Sequence, residues 1–268
     1  MKKFMVTAVV TGLIGGAASA QTNVVSSANI VGYVQTASPA SNKLDIVSLV
    51  QFSAGSNSVN IQKAIANVSN LHSAAIITNA DRLITWNGAV YTTYGLYKNG
   101  TNGPFWMVNG SGWTVPALAK PASNSFARGQ AAWFQAANGA SSTNVIFSGD
   151  VFQDQSYSMN LSGTLTLISY PYSADINLKD LVVSNATYAS AITNADRIIT
   201  WNGSVYTTYG FYKSGTNGPF WMVNGSGWTV PALAKPTTNV TVNLSKGFWY
   251  QTTNGVKPVG FSQIYQIN

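Results

Sequence analysis

The side chains of this chain that could do chemistry are few: seven aspartates, one histidine and eight tryptophans, with no glutamate and no cysteine. Hydrolysis by paired carboxylates needs two acids flanking one scissile bond. Among Asp45, Asp81, Asp150, Asp154, Asp175, Asp180 and Asp196, only Asp81 and Asp196 occupy matching places in an internal repeat, each followed by an arginine, Arg82 or Arg197. One such acid per repeat makes no acid/base pair. A carboxylate at a strand entry serves instead to hold backbone N–H groups, so Asp81 and Asp196 read as structural carboxylates. His72 has no counterpart in the second copy, and no G-x-S-x-G turn exists to present a nucleophile to it. Absent cysteine removes thiol nucleophiles, thiolate metal sites and disulfides together. Asp150 and Asp154 are too few acids to define a calcium loop. The expectation is a non-catalytic chain with no metal and no cofactor; a hydrolase is the weakest of the readings.

The aromatic residues carry more signal. All eight tryptophans fall into matched pairs: Trp86/Trp201, Trp106/Trp221, Trp113/Trp228 and Trp133/Trp249. Tyr91, Tyr94 and Tyr97 recur as Tyr206, Tyr209 and Tyr212. Such rings either fill a β-core or act as stacking platforms for a polar ligand, since each joins an apolar face to a polar handle. Trp86 and Trp201, beside Ile84 and Ile199, read as core. Trp106, Trp113, Trp221 and Trp228 border a Gly-rich loop and are the candidate ligand-binding rings, with Asn109 and Asn224 as polar neighbours.

The elements that position these residues are written twice. Residues 78–121 and 193–236 differ at four of 44 positions, at a constant offset of 115: Leu83/Ile198, Ala89/Ser204, Leu96/Phe211 and Asn99/Ser214. A period that long means two copies of a domain. In each copy Asn-Gly (Asn87-Gly88, Asn202-Gly203) separates strand-like runs, the signal of a two-residue type I′ hairpin that sets Trp86 opposite Ala89 and Ile84 opposite Tyr91. A second hairpin is expected from Phe105–Val108 through the loop Asn109–Gly112 to Trp113–Val115. Ile61–Ile65 and Leu178–Val182 have helical spacing. Ser, Thr, Asn and Gly enrichment with strand formers, and 12% aromatic residues, exclude disorder. The fold expected is all-β: two tandem antiparallel β-sandwich-like or small-barrel domains, 29–148 and 149–268, with one short helix each. Apolar residues on both strand faces imply packing on a further layer, the other copy being the obvious one.

The N-terminus reads as a secretory signal over 1–20: Lys2 and Lys3, the apolar run Phe4–Ile14, and Ala18-Ser19-Ala20, with cleavage after Ala20 and a polar lead-in over 21–28. The location expected is secreted or cell-surface. The formal charge of +7 includes those two lysines, and the remaining basic residues are scattered, so no nucleic-acid or anionic-lipid partner is indicated. No run of the mature chain is long and apolar enough for a transmembrane helix. The segment Ser27-Ala28-Asn29-Ile30-Val31-Gly32-Tyr33-Val34, together with Asp81–Gly88, Asp196–Gly203, Gly129–Phe134 and Gly247–Tyr250, resembles a family of secreted bacterial proteins with two tandem β-repeats. Ala131-Ala132 departs from the glycine-then-aromatic pattern of that family. The resemblance implies secretion and a tandem β architecture, and it supplies no activity and no site residues. The function expected is a secreted structural or surface-interaction protein that self-associates. The alternative is a carbohydrate-binding, adhesive module with a glycan surface as its partner.

Overall fold

The computed structural model describes residues 31–49, 57–65, 70–139, 144–152, 154, 156–161, 165–172 and 174–262; the signal segment, the cleavage position and the lead-in lie outside them. The described chain is all-β, and no sheet closes into a barrel.

The first repeat contains β1 (Val31–Ala37), β2 (Leu44–Ser48), β3 (Ser58–Asn60), the one-turn helix α1 (Ile61–Ala64), β4 (Arg82–Trp86), β5 (Tyr91–Asn99), β6 (Asn102–Val108), β7 (Ser125–Ala127), β8 (Ala131–Gln135) and β9 (Asn144–Asp150). The second contains β10 (Ser156–Asn160), β11 (Leu165–Ser169), β12 (Ile176–Asn177), β13 (Val183–Ser184), β14 (Arg197–Trp201), β15 (Tyr206–Ser214), β16 (Asn217–Val223), β17 (Thr241–Val242), β18 (Gly247–Gln251) and β19 (Pro258–Ser262). Each repeat builds one antiparallel five-stranded sheet, in the order β2-β8-β4-β5-β6 and again β11-β18-β14-β15-β16. Small sheets, β1-β9 with β3-β7 and β10-β19-β13 with β12-β17, supply the second layer. Strand β9 runs two residues past position 148 and pairs with β1, so it belongs wholly to the first repeat.

Between these layers lies one apolar core per repeat. Leu83, Leu96, Trp106, Phe126 and Phe134 fill the first; Ile198, Trp221, Tyr250, Val259 and Phe261 fill the second. The helical segments roof them. The Asn60 side chain accepts a hydrogen bond from Gln62 N (2.8 Å) and starts α1, whereas Asn177 caps only a 3-10 turn over Leu178–Asp180. The short helix expected of both copies is therefore α-helical in the first alone.

Two local expectations are corrected. The Asn87-Gly88 turn is not a two-residue hairpin. Asn87 Oδ1 accepts from Ala89 N (3.0 Å) and Val90 N (2.9 Å), which draws four residues into the turn, and Trp86 pairs with Tyr91. A shift of two residues keeps every side chain on its expected face, because side chains alternate with period two. The hairpin placed at Asn109–Gly112 does not form. Strand β6 pairs back with β5, and the chain beyond it coils into 3-10 turns at Ser111–Trp113 and Pro116–Leu118.

Trp113 causes that departure. Its ring folds back onto the outer face of its own sheet and packs edge-on to Tyr97 at 5.2 Å beside Met107 and Ala80; its Nε1 donates to Val108 O (3.2 Å). Trp228 does the same on Tyr212 at 5.1 Å. Each indole lies directly on a glycine. A Cβ at Gly95 would stand 2.6 Å from Trp113 Cζ2, and one at Gly210 would stand 2.5 Å from Trp228 Cζ2. Neither ring has anywhere to go, since its other edge is packed. Gly95→Ala is therefore expected to cost ~1–3 kcal/mol by overpacking and Trp113→Ala ~3–5 kcal/mol by cavity formation, each measured by urea unfolding. A Trp113→Ala variant as stable as the parent would contradict this packing.

Candidate functional site

The rings singled out for ligand stacking are interior. Trp106 and Trp221 are each 1% exposed, and Trp113 and Trp228 are 9% and 8% exposed. In the register Leu96↔Trp106 and Phe211↔Trp221 the ring of the edge strand turns into the repeat core. The candidate ligand-binding role of these four tryptophans is thus corrected: a stacking platform needs a free ring face, and core packing takes those faces. Asn109 and Asn224 are exposed, and their backbone N–H groups bond to Thr93 O and Thr208 O (2.8 Å each). Asn109 lines a shallow cleft of about 270 Å³ with Ser111 and Lys120, and Ser226 and Lys235 line its counterpart of about 340 Å³.

Both matched aspartates hold backbone N–H groups. Asp81 is buried, accepting from His72 N through Oδ2 (2.8 Å) and from Ala137 N through Oδ1 (2.7 Å). It thereby ties the start of β4 to the segments before it and after β8. Asp196 repeats this with Thr187 N and Thr253 N (3.0 Å each), and adds the Tyr250 hydroxyl (3.0 Å) and an ion pair to Lys257 (2.6 Å). Burial, and then the neighbouring Asp196 carboxylate, push the Tyr250 phenol upward, which keeps it a donor. His72 contributes its backbone N–H to Asp81, and its side chain is exposed.

The other four tryptophans gather at the seam between the repeats. On the outer face of the two large sheets, Ile46, Ala131, Trp133, Leu167 and Trp249 form a buried cluster, and Ile84, Trp86, Leu165, Ile199 and Trp201 pack on it. The contacts come in reciprocal pairs. Trp86 meets Trp249 edge-on at 6.3 Å, and Trp133 meets Trp201 at 6.1 Å. Trp86 Nε1 donates to Leu165 O (3.0 Å), and Trp201 Nε1 to Leu44 O (3.3 Å). Ser48 N bonds to Ser245 O (3.0 Å), and Ser169 N to Gly129 O (2.8 Å). The two repeats therefore relate as the halves of an isologous dimer within one chain.

At the margin of the seam, Tyr91 leans on Trp86 and Tyr206 on Trp201, with ring centres 4.6 Å apart in both pairs. These tyrosines are 56% and 53% exposed. Burial pushes the Tyr206 phenol up; a hydrogen bond with Trp249 opposes this, and the nearby Tyr91 adds to it. Sequence reading noted that these tyrosines recur and missed their exposure. The available signal was their place at the Asn-Gly turn, where a strand leaves the sheet. Two clefts of about 300 Å³ flank the seam. One holds Trp86, Asn87, Arg128, Gln130, Asn160 and Thr166; the other holds Trp201, Asn202, Asp45, Thr241, Asn243 and Lys246.

Burial holds the Asp81 carboxyl above its ordinary 3.8, against the lowering by its two backbone N–H donors. Because the folded value is raised, the contribution of Asp81 to stability is fully present below pH 3.8 and is lost as pH rises through the folded value. The stability difference between wild type and Asp81→Asn should then be larger at pH 3.5 than at pH 7, as read from urea midpoints. A difference independent of pH would show that Asp81 titrates as it does in the unfolded chain.

Compared with protein-family models, curated proteins and solved structures, the chain matches none.

Proposed function

We propose that this is a secreted, non-catalytic structural protein that self-associates through two equivalent faces, one on each repeat. The observation that carries the reading is an exposed apolar segment that is the same in both copies. Interior positions have changed between the copies: Leu83/Ile198, Leu96/Phe211, Phe126/Val242 and Ala132/Phe248. The exposed segment beyond β6 and β16 has not. Val108, Asn109, Val115, Leu118 and Lys120 recur unchanged as Val223, Asn224, Val230, Leu233 and Lys235. Leu118 and Leu233 are 56% and 55% exposed, and the valines around them are also exposed. Exposed apolar side chains have no packing reason of their own to stay fixed, although the small cluster beneath this segment is itself the same in both copies.

Strand addition is an unfavourable route to assembly. On the outer side of β6, Gln62 occupies both backbone groups of Trp106, accepting from N (2.9 Å) and donating to O (2.7 Å), and Ala122 N also reaches that oxygen (2.8 Å). On β16, Thr237 bonds to Trp221 O and Val223 N. Capped edges of this kind resist edge-to-edge pairing. Contact between molecules then falls to side chains, and the paired apolar faces lie at the sheet edges remote from β2 and β11.

Two self-complementary faces on one molecule generate open chains, because each contact leaves a free face at either end. This gives a graded expectation in sedimentation velocity of the mature chain. Wild type forms a concentration-dependent ladder, Leu118→Asp stops at dimers, and Leu118→Asp with Leu233→Asp is monomeric, all with unchanged thermal midpoints because both leucines are exposed. The same size distribution for all three proteins would defeat the proposal.

A further inference from the structure

We infer that the two seam clefts are binding sites for neutral sugar residues of a polysaccharide, with Trp86 and Trp201 as their stacking rings. This goes beyond self-association and uses a different surface.

The first support is charge. Each cleft contains charged side chains, and in each they cancel. Arg128 is 1% exposed and makes a bidentate ion pair with Asp154 (2.7 and 2.8 Å); its Nε donates to Pro171 O (3.1 Å), and its guanidinium lies over Phe152 and Tyr157 at 3.7 and 4.2 Å. In the other cleft Asp45 pairs with Lys246. Neither cleft offers a free charge to a phosphate, a carboxylate or a cation. What each offers instead is amides and hydroxyls.

Those groups are the second support. Asn160 and Asn243 stand exposed at the rims. Thr166 Oγ1, in the first cleft, is buried and has no hydrogen-bond partner among the described residues, and such a group costs free energy until a ligand or water satisfies it. The third support is the wall. Trp86 and Trp201 are half-buried, and each indole is fixed in place by its Nε1 bond across the seam. A rigid indole beside neutral donors and acceptors matches a pyranose, which has an apolar C–H face and a polar hydroxyl rim. Volumes of about 300 Å³ suit one or two sugar rings rather than a large ligand. Exposed Tyr91 and Tyr206 lean on these same indoles, with ring centres 4.6 Å apart in both pairs, and extend each aromatic wall. Two sites in one rigid molecule would raise avidity for a polymer by about 10²–10⁴ over either alone.

The test is native affinity electrophoresis of the mature protein in gels containing soluble neutral polysaccharides (xyloglucan, hydroxyethylcellulose, mixed-linkage glucan and galactomannan), with alginate as the anionic control. Retardation by at least one neutral polymer and none by alginate is expected. Asn160→Trp with Asn243→Trp fills both rims from exposed positions and should abolish the retardation, while each single variant should weaken it at least tenfold. Trp86→Leu with Trp201→Leu should abolish it too, and thermal midpoints separate lost stacking from a loosened seam. Absence of retardation by all four polymers, or retardation undiminished in the rim-filled variant, overturns the proposal. Retardation by alginate alone would mean that the clefts do not select neutral ligands and overturns it as well. Because Leu118→Asp with Leu233→Asp leaves the clefts intact, that variant should bind as the wild type does, so failure of the self-association reading leaves a separate signature.

Discussion

Each large sheet of this protein is apolar on both faces, and the rest of the architecture follows from having to cover each face. The inner face is roofed by the small sheets and by the helical turn after Asn60 or Asn177. The outer face is covered partly by the other repeat and partly by Trp113 or Trp228, folded back onto Gly95 or Gly210. A buried aromatic ring removes ~150–250 Å² from water, roughly 4–6 kcal/mol at ~25 cal/mol per Å² before entropy is counted. The partly exposed Asp45–Lys246 pair at the rim belongs to a class contributing about 0–1 kcal/mol. Apolar burial, and not the ion pair, holds the repeats together, and neither repeat presents a finished surface alone.

The same need explains how the surfaces are partitioned. The seam takes the half of each outer face nearest β2 and β11, whose ends reach across to Ser245 and Gly129. The far half carries the Trp113 or Trp228 lid and, outside it, the valines and leucines of the 3-10 turns. The two surfaces to which function is attributed here lie at the boundaries of these coverings, where packing ends and side chains are left with one side free.

Much of this was legible in the residues. The 115-residue offset gave two copies of one β domain, and apolar residues on both strand faces pointed to a further layer. The faces of Trp86, Ile84 and Tyr91 came out correctly even though the turn was longer than expected, because a two-residue slip preserves alternation. Trp113 was misread for a physical reason. A Gly-rich loop followed by an aromatic run looks like a hairpin, but the partner of the ring is Gly95, 18 residues earlier, and a contact between a side chain and a missing side chain leaves no periodic trace. The half-burial of Trp86 and the exposure of Tyr91 have a related origin. Their exposure depends on how far the second sheet overlaps the first, a quantity set by two surfaces and written in neither strand. Asp81 could be picked out by its repetition, whereas its depth of burial depends on Ala137, which closes over it from 56 residues away.

One departure from symmetry at the seam is a matter of a single methyl group. Ala131 and Gly247 occupy equivalent positions and face each other, and a Cβ on Gly247 would collide with the Ala131 Cβ and with Ile46 Cγ2. A second alanine at this crossing would bring two methyl groups into overlap. The crossing has room for one methyl group and not for two, and the pairing of unlike halves supplies that one.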